Sequence, residues 1–296
     1  MAGDTELAYG IAPPGARLPD GTKLGRVRLA VSNLARALAW YERVVGVRVL
    51  EHAETRATLG AQGNETPLIE LHEQPGARAV PRRGRIGLYH YAILLPDRAS
   101  LGRFLVHLAA IGEHPGMADH AVSEALYLND PDGLGIEVYA DRPRSEWRHE
   151  GRELFMTTAP LDVQGVLSAV NEEPWTGLPA GTVMGHVHLH VGDLAEAAAF
   201  YHEALGFDKM VWSYPGALFL SAGGYHHHLG TNTWAAHAEP AGEGDARLLD
   251  WEILLPTSAD VDRAARSLES GGHTVDHGGS GVSAADPWGT RLRLAG

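Results

Sequence analysis

Three histidines alternate along GHVHLHV (185–191), three more stand side by side in YHHHLG (225–230), and one glutamate closes YLNDPDGLGIEV (127–138). Side chains of a strand alternate between its faces. His186, His188 and His190 therefore share one face, with Val187, Leu189 and Val191 on the other. A lone strand histidine is more often a satisfied core residue than a ligand, and a lone glutamate on a late strand is usually an exposed one. Taken together, His90, Glu137 and an incoming His186 make two imidazoles and one carboxylate. That facial set leaves coordination positions open and suits a non-haem Fe(II) that must hold both a substrate and O₂; Mn(II) accepts the same donors. The run of three histidines admits a metal site, a catalytic base with neighbours, or a patch of solvated imidazoles.

Composition narrows the partners. The chain of 296 residues carries a net charge of −13 with histidine neutral, and its only lysines are Lys23 and Lys209. No basic run is present, which argues against nucleic acid or an anionic membrane surface as a partner. With no cysteine, thiolate metal sites, disulfides and cysteine nucleophiles are excluded, leaving His, Asp and Glu as strong metal donors. No apolar stretch of membrane-spanning length occurs, and MAGDTELAYG lacks the basic-then-apolar pattern of a secretory signal. A cytoplasmic location is the default expectation.

The elements that position these residues come in copies. LGRVRLAVSNLARALAWYERVVGV (24–47) aligns without gaps on MGHVHLHVGDLAEAAAFYHEALGF (184–207), and ILLP at 93–96 matches ILLP at 253–256. Within each half a second shift superposes Arg26 on His90 and His186 on Asp250. Four units thus begin near residues 24, 88, 184 and 248. Each opens with an alternating strand, continues as an apolar-periodic helix and ends in about three glycine-punctuated strands. The expected class is α+β: four βαβββ units in two similar halves, forming two cup-shaped mixed sheets. The halves are expected at 24–140 and 181–296, joined by a connector at 141–180 that is rich in Pro and Trp.

Tandem units that open with H-x-x-L-x-V-x-D-L and close with DP-x-G-x-x-x-E resemble the vicinal oxygen chelate superfamily. HAVSEALYLNDPDGLGIE (120–137) is similar to the signature of its extradiol ring-cleavage dioxygenases, on His120, Leu126, Tyr127, Asp130, Pro131, Gly133 and Glu137, with Ala118 as one departure. The resemblance spans nearly the whole chain, including GGYHHHLGTNTW, and extends to two-half catechol 2,3-dioxygenase-like proteins. It implies that His90, Glu137 and His186 bind Fe(II) (or Mn(II)) and that the substrates are O₂ and a small aromatic diol. It also implies that Tyr127 hydrogen-bonds a substrate oxygen, that His120 is a further active-site histidine, and that His227 is the acid–base residue. On that reading His227 faces the site while His226 and His228 alternate away from it.

One departure bears on assembly. The fourth unit has Asp250 and Arg293 where the second has His90 and Glu137. A single metal site then requires the second and third units to share one cup. The first and fourth would form a metal-free cup whose Arg26, Arg28, Arg293, Glu70, Asp250 and Glu252 satisfy one another, since unpaired buried charge is costly. Trp212, Tyr214, Trp234 and Trp251 are candidates for reading ring substituents. Two other functions fit the same pattern: a glyoxalase-type metal-dependent isomerase or lyase, and a metal-free small-molecule binding protein. Edge strands of such units allow a homo-oligomer.

Overall fold

The computed structural model describes residues 9–171, 173–278 and 281–296; most of the N-terminal stretch read for a signal pattern lies outside them. The first unit is β1 (Lys23–Val31), α1 (Leu34–Trp40), β2 (Arg48–Ala53), β3 (Arg56–Gly60) and β4 (Pro67–Glu73). The second is β5 (Gly87–Leu94), α2 (Arg98–Ala110), β6 (Gly116–Asp119), β7 (Ser123–Asn129) and β8 (Gly135–Asp141). A short ribbon, β9 (His149–Glu150) with β10 (Glu153–Leu154), and helix α3 (Val163–Ser168) follow. The third unit is β11 (Val183–His190), α4 (Leu194–Ala198), β12 (Asp208–Val211), β13 (Ala217–Ser221) and β14 (Leu229–Asn232). The fourth is β15 (Arg247–Leu254), α5 (Ser258–Ser270), β16 (Val275–Gly278), β17 (Gly281–Ala285) and β18 (Arg291–Ala295).

Local chemistry explains the repetition. Each strand-to-helix turn ends in a residue whose side-chain oxygen accepts a backbone N–H of the first helical turn: Asn33, Asp97, Asp193 and Thr257. Such caps satisfy donors that a helix leaves free at its start. Helices α1 and α4 each run on into a wider π turn, over Tyr41–Val45 and Ala199–Ala204. Their apolar faces bury Leu34, Leu38 and Tyr41 in one case and Phe200 and Tyr201 in the other.

The strands form two eight-stranded sheets, and each sheet takes one unit from each half of the sequence. One runs β16-β17-β18-β15-β1-β4-β3-β2 and joins the fourth unit to the first. The other runs β12-β13-β14-β11-β5-β8-β7-β6 and joins the third to the second. The central seams are antiparallel, β1 on β15 and β11 on β5, with equivalent registers: Arg28 opposite Asp250, and His188 opposite His90. The flanking parallel pairs agree as well, with Glu252 beside Arg293 and Ala92 beside Glu137. Helices and the outer sheet faces enclose one continuous apolar core containing Val27, Tyr91, Leu189 and Trp251. The concave faces carry the polar and charged side chains, with some apolar ones among them.

In the cup of the first and fourth units, Arg26 pairs with Glu70 at 3.2 Å and Arg28 with Asp250 at 3.3 Å. Glu70 also contacts His72 at 2.6 Å. Burial raises the Asp250 pKa, while Arg28, Arg293 and Arg26 pull against that rise. Among the described residues Glu252 forms no such ion pair; its side chain lies over Gly25, where an added Cβ would collide with it.

Candidate active site

The concave face of the other sheet gathers the residues expected to do chemistry. Strand β5 supplies His90, β11 supplies His186 and β8 supplies Glu137, and one ligand atom of each lies within 4.8 Å of the others. The carboxylate oxygen Oε2 of Glu137 stands 3.0 Å from His90 Nε2 and 3.2 Å from His186 Nε2. All three side chains are buried. The His90 contact lacks hydrogen-bond alignment, so its Nε2 remains a buried polar atom without a partner. An orphaned imidazole nitrogen beside a buried carboxylate is the arrangement a divalent cation would satisfy, because a buried polar atom without a partner is costly. The donor set of two nitrogens and one oxygen fits a first-row transition metal.

Electrostatics agree. Burial acts to raise the Glu137 pKa, yet the His186 and His90 imidazoles outweigh it and hold the carboxyl well below the usual carboxylate range. Burial lowers His186 to about 4 against the pull of Glu137. Glu137 is thus an anion beside a neutral His186 imidazole at neutral pH, which is the protonation state metal binding requires of both groups.

A cavity of about 530 Å³ opens on this triad. Tyr127 lies directly opposite Glu137 across the antiparallel β7–β8 pair, so its position ten residues earlier follows from a tight hairpin register. Its hydroxyl is 2.6 Å from His120 Nε2, and His120 Nδ1 is 2.7 Å from the Thr157 carbonyl. A carbonyl only accepts, so His120 carries a proton on Nδ1; in the neutral ring Nε2 then accepts the Tyr127 O–H. Burial first, then the Glu137 charge, raises the Tyr127 pKa well above its ordinary value. His120 precedes Ala121, whose φ of 67° makes it the sole non-glycine residue in the left-handed region among the described residues. That conformation costs about 1–2 kcal/mol and sits beside a cavity residue.

His227 lines the same cavity, its ring 4.0 Å from that of His186. Burial, joined by repulsion from the surrounding imidazoles, pushes its pKa well below 6.5. The alternation expected for the histidine run is not what positions it. Residues 225–228 precede β14 and are not a strand, so period-two reasoning does not apply to them. His228 does turn away, contacting Ser221 Oγ at 3.0 Å and lining a different cavity. His226 is absent from the cavity wall as well, but lies directly behind His227: its Nδ1 is 2.7 Å from His227 Nδ1 and its Nε2 is 2.9 Å from Asp141.

Several residues at the cavity were not assigned a role from the sequence. His188 forms part of the wall, its Nε2 3.0 Å from the Asn232 side-chain amide, whose oxygen is 2.7 Å from His190 Nδ1. Met156, Thr157 and Thr158, from the expected connector, form another part. Asp141, which contacts His226 behind the cavity wall, had a legible signal, since Glu137, Tyr139 and Asp141 alternate onto one face of β8. Of the four aromatic candidates, Tyr214 and Trp234 line the cavity. Trp251 is fully buried core and Trp212 lies on the surface.

Two curled sheets built from repeated βαβββ units, with a His–His–Glu cluster in one of them, define a class. The chain belongs to the Glyoxalase/Bleomycin resistance protein/Dioxygenase superfamily, whose model matches residues 23–138 and 183–294. It is 45% identical over 272 residues to the catechol-2,3-dioxygenase of Bacillus subtilis (strain 168), covering 90% of this chain and 95% of that one. A solved structure from Bacillus subtilis subsp. subtilis strain 168 superposes at TM-score 0.64 with 15% identity, over 95% of this chain and 86% of the other. Glyoxalase I from Zea mays superposes at 0.55 with 17% identity, over 93% and 92%. At such identities the two structures establish the shared fold. Among the described residues no helix is long and apolar enough to cross a membrane.

Proposed function

We propose that this protein is an extradiol ring-cleavage dioxygenase that uses Fe(II), or alternatively Mn(II), to insert O₂ into a catechol-type diol beside its hydroxyl pair. The observation that carries the reading is the cluster of His90, His186 and Glu137 opening on a cavity that also holds Tyr127, His120 and His227. The 45% identical catechol-2,3-dioxygenase supports it independently. His90, His186 and Glu137 would hold the metal, which when bound supplies Lewis acidity towards both diol oxygens and brings diol and O₂ together.

The protein's own groups do the rest. His227, buried and uncharged at neutral pH, accepts a proton from a diol hydroxyl and later returns one, the work of a general base and then a general acid. Tyr127 stays protonated, with His120 as acceptor for its O–H, and orients a substrate oxygen from the opposite side. Tyr214, Phe219 and Trp234 bound the space for the ring and exclude water from it. Glyoxalase-type chemistry commonly employs a second carboxylate ligand; among the described residues none joins this cluster.

The test is O₂ consumption by anaerobically Fe(II)-loaded protein with a panel of catechols, the ring-opened product being followed by its absorbance. Uptake matched by product formation is expected. Bound metal with no uptake on any diol would sink the reading.

A further inference from the structure

Behind His227 lies a hydrogen-bonded chain that the chemistry above does not use. Asp141 Oδ1 is 2.9 Å from His226 Nε2, and His226 Nδ1 is 2.7 Å from His227 Nδ1. The Tyr225 hydroxyl donates to the same Asp141 oxygen at 3.3 Å. His226 is fully buried, with Trp147 and Tyr139 packed edge-on at ring separations of 5.4 and 6.0 Å. Its ring therefore has one orientation.

The proton positions follow from donor and acceptor rules. An ionised carboxylate only accepts, so His226 Nε2 carries a hydrogen. A neutral imidazole has one donor and one acceptor nitrogen, so His226 Nδ1 accepts and His227 Nδ1 must donate. His227 is then left with a bare lone pair on Nε2, the nitrogen that makes no hydrogen bond with the described residues, on a ring that lines the cavity. A cationic His226 would reverse the direction. The nitrogen-15 readout of His227 distinguishes the two directions.

We propose that Asp141 and His226 are positioning residues that hold His227 as the Nδ1–H tautomer, so that its basic Nε2 faces the substrate. The kinetic consequence rests on the reading of His227 as the acid–base group; the tautomer is a property of the fold and is testable without turnover. A fixed tautomer matters because the other one presents an N–H where a proton acceptor is needed, and such a reversal is very costly to a histidine base.

The experiment is nitrogen-15 NMR of histidine-labelled full-length protein loaded with Zn(II), a diamagnetic probe, with His227 assigned by its absence in His227→Phe. The wild type should show the proton on Nδ1. His226→Leu, which removes the acceptor, should move it to Nε2 in part or entirely. His226→Asn, which keeps an oxygen acceptor near the Nδ1 position, should retain the wild-type tautomer. In Fe(II)-loaded protein, kcat should fall about 10- to 1000-fold in His226→Leu with KM little changed, and His226→Asn should recover most of it. Asp141→Ala, at the partly exposed end of the chain, provides a milder variant should His226→Leu fail to fold, and should loosen the tautomer in the same direction. A proton on Nε2 in the wild type overturns the proposal, as does an unchanged His227 tautomer in both His226→Leu and Asp141→Ala. The expected tautomers without O₂ uptake on any catechol would leave this inference standing and remove the dioxygenase reading.

Discussion

The Tyr41 hydroxyl, from the first unit, donates to Asp130 of the second at 3.3 Å, and Tyr201 of the third donates to Asp286 of the fourth at 3.0 Å. Each tyrosine lies in the π turn that follows a helix of one cup and braces the DP turn of the other. Asp130 also accepts the Asp132 and Leu134 N–H groups, both at 2.9 Å, and so shapes the turn that starts β8 and places Glu137. The two cups are therefore coupled by buried polar contacts as well as by the apolar core.

Tyr41→Phe should destabilise the protein by about 1–3 kcal/mol, because it leaves a buried carboxyl short of a donor. Thermal or urea unfolding measures it. A loss below about 0.5 kcal/mol would show that Tyr91, 3.0 Å from the Tyr41 hydroxyl, or a rearranged Asp130 replaces the contact.

Glu137→Ala and His227→Phe should separate two kinds of loss. The first removes the carboxylate between two imidazoles and should abolish tight metal binding, read by metal analysis after desalting. The second should keep the metal and lower kcat by about 10²- to 10⁴-fold, the usual contribution of a general acid–base group. Wild-type turnover in His227→Phe would transfer that role to another residue, with His120 and His188 the other candidates on the cavity wall.

Metal titration should saturate at one ion per chain. The cup of the first and fourth units presents Arg26 and Arg28 paired with Glu70 and Asp250, and cationic side chains repel a divalent ion. Ligand at 100 times its Kd stabilises the folded state by about 2.7 kcal/mol, so Fe(II) or Mn(II) should raise the melting temperature of wild type and not of Glu137→Ala. Two ions per chain at saturation would contradict the assignment of a single site.

The pH profile should carry the depressed His227 pKa. A base whose pKa is lowered stays unprotonated as the pH falls through 6.5 and becomes protonated only below it. The acid limb of kcat/KM assigned to His227 is thus expected below pH 6.5, with activity maintained at and above that value. An acid limb centred above 6.5 would show that another group controls it.

Gly185→Ala should impair the site through packing alone. A Cβ there would lie 1.9 Å from the Tyr139 hydroxyl, beside His186 and on the same strand face as Glu137. Tyr139 in turn contacts Tyr225 at 2.7 Å. The expected result is lower stability together with weaker metal retention; a fully active, wild-type-stable variant would mean that Tyr139 moves aside at no cost.

Much of this architecture was legible in the residues themselves. The four units follow from a repeat with strand and helix periods in it. The pairing of the third unit with the second follows from chemistry, since Asp250 and Arg293 stand where His90 and Glu137 do. Strand alternation placed His186 and His188 on one face, because β-sheet geometry converts spacing into position with little freedom; Tyr127 entered through the family resemblance, and the structure sets it opposite Glu137.

The histidine run is where that conversion stops. Residues 225–228 lie in an irregular turn before β14, where side-chain direction is set by partners distant in sequence. His226 is drawn to Asp141 of another unit, His228 to Ser221 on the neighbouring strand, and His227 to the cavity between them. Thr157 and Met156 likewise reach the site from a segment with no periodicity to read. Composition and period determined which groups this protein owns and the strands that carry them. Only the tertiary structure decided which nitrogen of which histidine meets which acceptor, because those contacts join units far apart in the chain and have no local signal.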